Sequence, residues 1–157
     1  MPRARMVLVV AMLAAPAGLT AQVRLTLSQT PNKFPAPAVA DYIAGFIANP
    51  TGILYTVNVT GGPASQSRTT TVSIRSSSAS LGGGKALSDL EWRRSDLVTW
   101  NPMTTSDATV ESRQARRNGT NDPWSNTLFL RMLLSWTTDA PATYTAGLVV
   151  TLTVTSP

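Results

Sequence analysis

Apolar side chains recur at every second position through most of this chain, and that period constrains the fold more than any other feature. Residues 126–137 place Leu128, Leu130, Met132, Leu134 and Trp136 on one face. Residues 142–155 do the same with Tyr144, Ala146, Leu148, Val150, Leu152 and Val154. Successive side chains of a strand point to opposite sides of its sheet, so a two-residue repeat gives one greasy face and one wet face. The same alternation runs through Val23, Leu25 and Leu27, then through Ile53, Tyr55, Val57 and Val59, with Val72 and Ile74 inward in a strand over 69–76. Residues 86–94 and 97–100 read as further strands joined by a polar corner at Ser95-Asp96, and Asn101-Pro102 stops the second. Residues 108–113 read as a weak, polar edge strand. Residues 39–48 fit either a short helix or a strand kinked at Gly45. The Tyr, Ile and Phe there, and the turn Asn49-Pro50-Thr51-Gly52 after them, favour the strand.

About seven to nine short strands with turns between them predict an all-β fold, an antiparallel immunoglobulin-like β-sandwich, because two stacked sheets bury each other's apolar faces. A closed barrel meets the same pattern. The Pro- and Gly-rich corners favour the sandwich.

The chain has no cysteine and no histidine. Without imidazole or thiol, Ser-His-Asp and Cys-His catalysis and the usual zinc sites are excluded. No cofactor and no metal site is expected. Arg3 and Arg5 precede an apolar run at 7–15, and a small-residue stretch ends at Ala21. This is the layout of a secretory signal peptide, and the run is too short to span a bilayer as a helix. The reading is a leader over 1–21, a single domain over 22–157, a secreted, periplasmic or cell-surface location, and no membrane insertion once the leader is removed. With Arg3 and Arg5 gone, eleven basic residues face eight acidic ones, a balance of +3. The basic residues are scattered apart from two Arg pairs, so no nucleic-acid partner is expected.

Candidate chemistry is sparse. Trp92 and Trp136, in phase with Leu90 and Leu134, read as core. Trp100 and Trp124 flank Pro-containing loops and read as more open, and such a ring can stack on a sugar. Asn121 and Asp122 sit in the loop 116–123, an exposed segment rich in side-chain oxygens that lacks the EF-hand spacing for calcium. Trp100, Trp124, Asn121 and Asp122 are therefore the candidate ligand-binding residues, with no catalytic residue assigned. Asp89, Glu91 and Arg93 share one face of their expected strand. Residues two apart on a strand lie about 7 Å apart and side by side, which suits a solvated ion-pair face better than acid/base work. Gly84-Lys85 is followed by Ala86 rather than Ser or Thr, so the glycine run reads as a turn, not a phosphate loop.

The ending Pro141-Ala142-Thr143-Tyr144-Thr145-Ala146-Gly147-Leu148-Val149-Val150-Thr151-Leu152-Thr153-Val154, together with Asp41 and Gly45 in the early segment, resembles bacterial spore-coat-protein-U and fimbrial-type secreted domains. The resemblance implies an exported Ig-like sandwich with structural or surface duties, and carries over no catalytic residue. Two functions follow as expectations. One is a non-enzymatic structural or adhesive component of a bacterial surface, with self-association or a surface protein as partner. The other is a carbohydrate-binding module.

Overall fold

The computed structural model describes residues 22–28, 34–139 and 142–155. The leader expected over 1–21 lies outside them, as does Pro141. Two antiparallel sheets face each other. The larger contains β1 (Val23–Leu27), β2 (Phe46–Ala48), β3 (Ile53–Val59), β7 (Leu90–Arg94), β8 (Asn101–Pro102) and β10 (Trp124–Leu133). Its order is β1-β3-β10-β7-β8, with β2 paired to the far end of β10. The smaller holds β4 (Arg68–Ser76) between β9 (Ala108–Ala115) and β11 (Leu148–Thr155). A separate hairpin joins β5 (Ser80–Gly82) to β6 (Lys85–Ala86). The all-β sandwich that the alternation predicts is present. The strands number eleven among the described residues because four of them are only two or three residues long.

Register explains the core. Leu25 and Trp124 both lie opposite Val57, Leu128 opposite Ile53, and Leu130 opposite Trp92. Val72, Ile74, Val110, Leu148 and Val150 close over them from the smaller sheet, and all are buried. Burying side chains of this size contributes roughly 1.5–3 kcal/mol each. Both terminal strands pair within the chain, β1 with β3 and β11 with β4.

One irregularity redirects polar groups inward. The β4–β9 register shifts at Val72/Ser73, which leaves Val110 as an extra residue on β9. Val110 and Glu111 are consequently both buried. A β-bulge reverses the phase of everything beyond it, so Glu111, Arg113 and Ala115 now follow the inward row. Glu111 takes hydrogen bonds from the Tyr55 hydroxyl (2.5 Å) and from Arg113 Nε (2.6 Å). Arg94 approaches the same carboxylate at 3.8 Å, and Asn126 Nδ2 lies 3.3 Å from it. The Arg113 guanidinium stands 5.0 Å from the centre of the Trp124 ring. These groups come from both sheets and join them through the interior.

Several segments depart from the reading of the sequence. Residues 39–48 form a short helix, α1 (Val39–Ala44), before β2, rather than one kinked strand. Asp41 Oδ2 accepts the Ala38 amide at 2.8 Å, and Gly45 takes the left-handed conformation at φ 78 that ends a helix. Local capping therefore outweighs β-propensity. Trp136 is 62% exposed rather than in the core. β10 ends at Leu133, so the alternation no longer governs residue 136, and its ring stacks on Tyr42 of α1 at 4.2 Å. Residues 97–100 are not strand, and the pairing begins at the Asn101-Pro102 expected to stop it. β8 is the sheet edge, where a proline's missing N–H costs least. Residues 142–147 precede β11 rather than belonging to it, although Ala146 is buried as expected and Thr145 donates its amide to Leu81 O. Among the described residues no helix is long and apolar enough to cross a membrane.

Candidate functional site

The structure separates the four candidate residues. Trp124 is 4% exposed, meets Tyr55 edge-on at 5.9 Å, and donates its indole N–H to Thr70 Oγ1 at 3.2 Å. It is a core side chain, not an open one, because the strand starts at 124 and faces it inward opposite Val57. Asn121 sits at φ 56 and donates to Gln114 O at 2.9 Å. Asp122 uses both oxygens on backbone amides, Oδ1 on Val59 and Oδ2 on Asn118. These two side chains shape the loop and tie it to β3. Trp100 lies on the outside of the larger sheet, half-buried against Arg93, and is the open aromatic ring of the four.

Around Trp100 the outer face carries an alternating row of planar groups. β7 and β10 pair with Arg93 opposite Phe129 and Glu91 opposite Arg131, so all four point away from the core that Trp92 and Leu130 fill. Arg93 stands 5.0 Å from the centres of both Phe129 and Trp100. Arg131 stands 4.5 Å from Trp100 and 5.1 Å from Phe46 of β2. The row therefore runs Phe129, Arg93, Trp100, Arg131, Phe46. Each guanidinium is attracted to the electron-rich faces beside it, by about 0.5–1 kcal/mol where solvent reaches. Glu91 neutralises Arg131 through Nε. Arg93 has no carboxylate partner among the described residues, and its NH1 is bonded to Leu97 O and Arg94 O. Leu97 and Val98 of the adjoining loop are exposed.

The sequence reading missed Phe46, Phe129 and Arg131. The available signal was the second phase of β10: between the core residues Leu128, Leu130 and Met132 stand an aromatic and an arginine.

Asp89, Glu91 and Asp96, the carboxylates of this stretch, each pair with a different cation. Asp89 lies in a 3-10 turn (Leu87–Asp89) beside Lys85, Glu91 binds Arg131, and Asp96 binds Arg94. Among the described residues no three acidic side chains gather as a metal site would require. Asp96 accepts both Arg94 Nε (2.8 Å) and NH2 (2.6 Å). The Arg94 guanidinium holds its carboxyl at about 2, below the ordinary 3.8. A lowered folded-state value means the pair stabilises above the ordinary carboxylate range and loses that contribution as pH falls from 3.8 towards 2. Asp96→Asn is therefore expected to flatten the acid limb of a stability-against-pH curve measured by urea titration, the variant falling slightly below wild type at pH 7 and meeting it near pH 2. An unchanged acid limb would contradict the pairing. The expected size is small because the carboxylate is half-exposed.

No family model, curated protein or solved structure matches this chain.

Proposed function

We propose that the mature chain is an exported, non-enzymatic β-sandwich that serves as an adhesive component of a bacterial surface, binding carbohydrate through the outer face of its larger sheet. The row Phe129–Arg93–Trp100–Arg131–Phe46 carries this reading. Aromatic planes suit the C–H faces of pyranose rings, and they lose little entropy on binding because they turn about only two side-chain bonds. Guanidinium forks suit carboxylates. Together they favour a polysaccharide bearing uronic or other acidic sugars, with Trp100 as platform and Arg93 as the cation left to meet the acid. The leader-like segment at 1–21 supports export, and the absence of imidazole and thiol supports a non-enzymatic role. β1 is already paired along its length with β3, which favours the sheet face over strand exchange as the working surface.

The test is titration calorimetry against polyuronate and neutral polysaccharides. Binding of the acidic polymer is expected to weaken with salt and to fall at least about tenfold in Trp100→Ala, a loss of roughly 1.4 kcal/mol. Arg93→Ala is expected to lose the preference for acidic over neutral chains. Wild-type affinity in both variants, with folding intact by circular dichroism, would refute the assignment.

A further inference from the structure

Of thirteen basic side chains, eleven are arginine; the two lysines are Lys33 and Lys85. Arginine is the better partner for a buried carboxylate, because its planar fork bonds bidentately and it stays charged. Lysine differs in being able to give up its proton and act as a nucleophile. Lys85 is buried. Its side chain is 3% exposed, and Nζ lies 2.6 Å from Asp139 Oδ1 and 3.1 Å from Asp89 Oδ2. Asp139 is equally enclosed at 4%, whereas Asp89 is 34% exposed. The other oxygen of Asp139, Oδ2, accepts the Ser135 amide at 2.9 Å. The Tyr144 ring stands 5.7 Å from Nζ. An amine, an acyl carbon, a second carboxylate touching the amine and an N–H aimed at the acyl oxygen are thus assembled in one closed place.

We propose that Lys85 and Asp139 condense into an intramolecular amide, with Asp89 carrying the protons. Asp89 takes a proton from the ammonium, which frees the Nζ lone pair, and passes it to Oδ1, so that Asp139 is attacked as its neutral acid. Nζ attacks Cγ, and the one negative charge of the tetrahedral intermediate, on Oδ2, is held by the Ser135 N–H. Asp89 takes a second proton from Nζ and delivers it to the Oδ1 hydroxyl. The Cγ–Oδ1 bond breaks, one water leaves on the open side of Asp89, and an Nζ–Cγ amide remains. An ammonium and a carboxylate become an amide and a water, with no oxidant or other reactant. The product replaces two buried charges by a neutral group, which removes a desolvation cost that the ion pair bears. The 2.6 Å contact of Nζ with Oδ1 holds the amine beside the carboxyl group, which supplies proximity. Although burial opposes charge on Lys85, its bonds to Asp139 and Asp89 leave it holding its proton more tightly than free lysine. Transfer to Asp89 is thus the demanding step of a reaction that each molecule performs once. The bond would tie β6 to the turn after β10 in a chain that has no cysteine for a disulfide.

Intact-mass spectrometry of the purified wild-type protein, denatured before injection, tests this. The expected mass is one water below that of the sequence between its termini, with digestion giving a branched peptide that joins residues 85 and 139. Asp89→Asn, which leaves the Lys85–Asp139 contact in place, is expected to restore the full mass, as is Asp139→Ala. A full-mass wild-type protein after prolonged incubation would overturn the proposal, and so would a water lost without the 85–139 branch. Condensation unchanged in Asp89→Asn would overturn the role of Asp89. The wild-type measurement stands even if a variant fails to fold.

Discussion

Replacing Trp124 with alanine is expected to lower folding stability by about 3–5 kcal/mol, the range for truncating a large buried aromatic. The ring is 4% exposed, meets Tyr55 edge-on, lies under the Arg113 guanidinium and donates its N–H to Thr70. Alanine would open a cavity between the sheets and leave Thr70 Oγ1 without that donor. The neighbouring tryptophan behaves differently. Trp100 lies on the outer face, and surface truncations usually stay within about 0.5 kcal/mol. Its loss of two guanidinium contacts, at about 0.5–1 kcal/mol each, is the larger consideration. Urea denaturation of the two variants should therefore separate them, with Trp124→Ala the less stable and Trp100→Ala lowered by no more than about 1–2 kcal/mol. A Trp124→Ala midpoint equal to that of wild type would show that the ring does not fill the core.

These two residues mark where the sequence is readable and where it is not. Both tryptophans stand beside prolines, and local sequence alone makes them look alike. What distinguishes them is register: Trp124 lies opposite Val57 on the inner row, whereas Trp100 precedes the short edge strand β8 and reaches over β7. Alternation reveals that a strand has two faces, and 53–59 was legible because Ile53, Tyr55, Val57 and Val59 fill every inner position. It does not reveal a phase change. Val110 is the extra residue of a bulge, and past it Glu111 turns inward from what reads as a polar edge strand. Alternation also stops meaning anything where a strand stops, as at Trp136. For α1, the deciding features were an Asp three residues after Ala38 and a glycine able to adopt positive φ, which outweigh a β-prone Tyr-Ile pair. The outer row of Arg and aromatic side chains was hidden because it needs three strands and a loop to assemble, and each contributes only one or two members.

The interior polar network gives the second large effect. Glu111→Ala is expected to cost about 3–5 kcal/mol, the penalty for removing one partner of a buried ionic group, because Arg113, Arg94 and the Tyr55 hydroxyl all converge on that carboxylate. Tyr55→Phe removes only one hydrogen bond to a charged group and should cost about 1.5–3 kcal/mol. The two residues touch, so a double-mutant cycle measured by urea denaturation should show a coupling above about 0.5 kcal/mol; additive losses would deny the contact. Alkali provides a separate readout. Burial, reinforced by the hydrogen bond to Glu111, raises the Tyr55 phenol far above its ordinary 10.0. The folded protein then keeps a proton that the unfolded chain releases once pH passes 10.0. Stability should accordingly be full below that pH and decline above it, by about 1.4 kcal/mol per pH unit for one such group. Tyr144, raised chiefly by burial and then by Asp139, shifts in the same direction, so Tyr55→Phe should reduce the alkaline slope without abolishing it. A variant with the wild-type slope would mean that the Tyr55 phenol ionises as readily folded as unfolded, which a hydroxyl sealed between the sheets against a carboxylate cannot do.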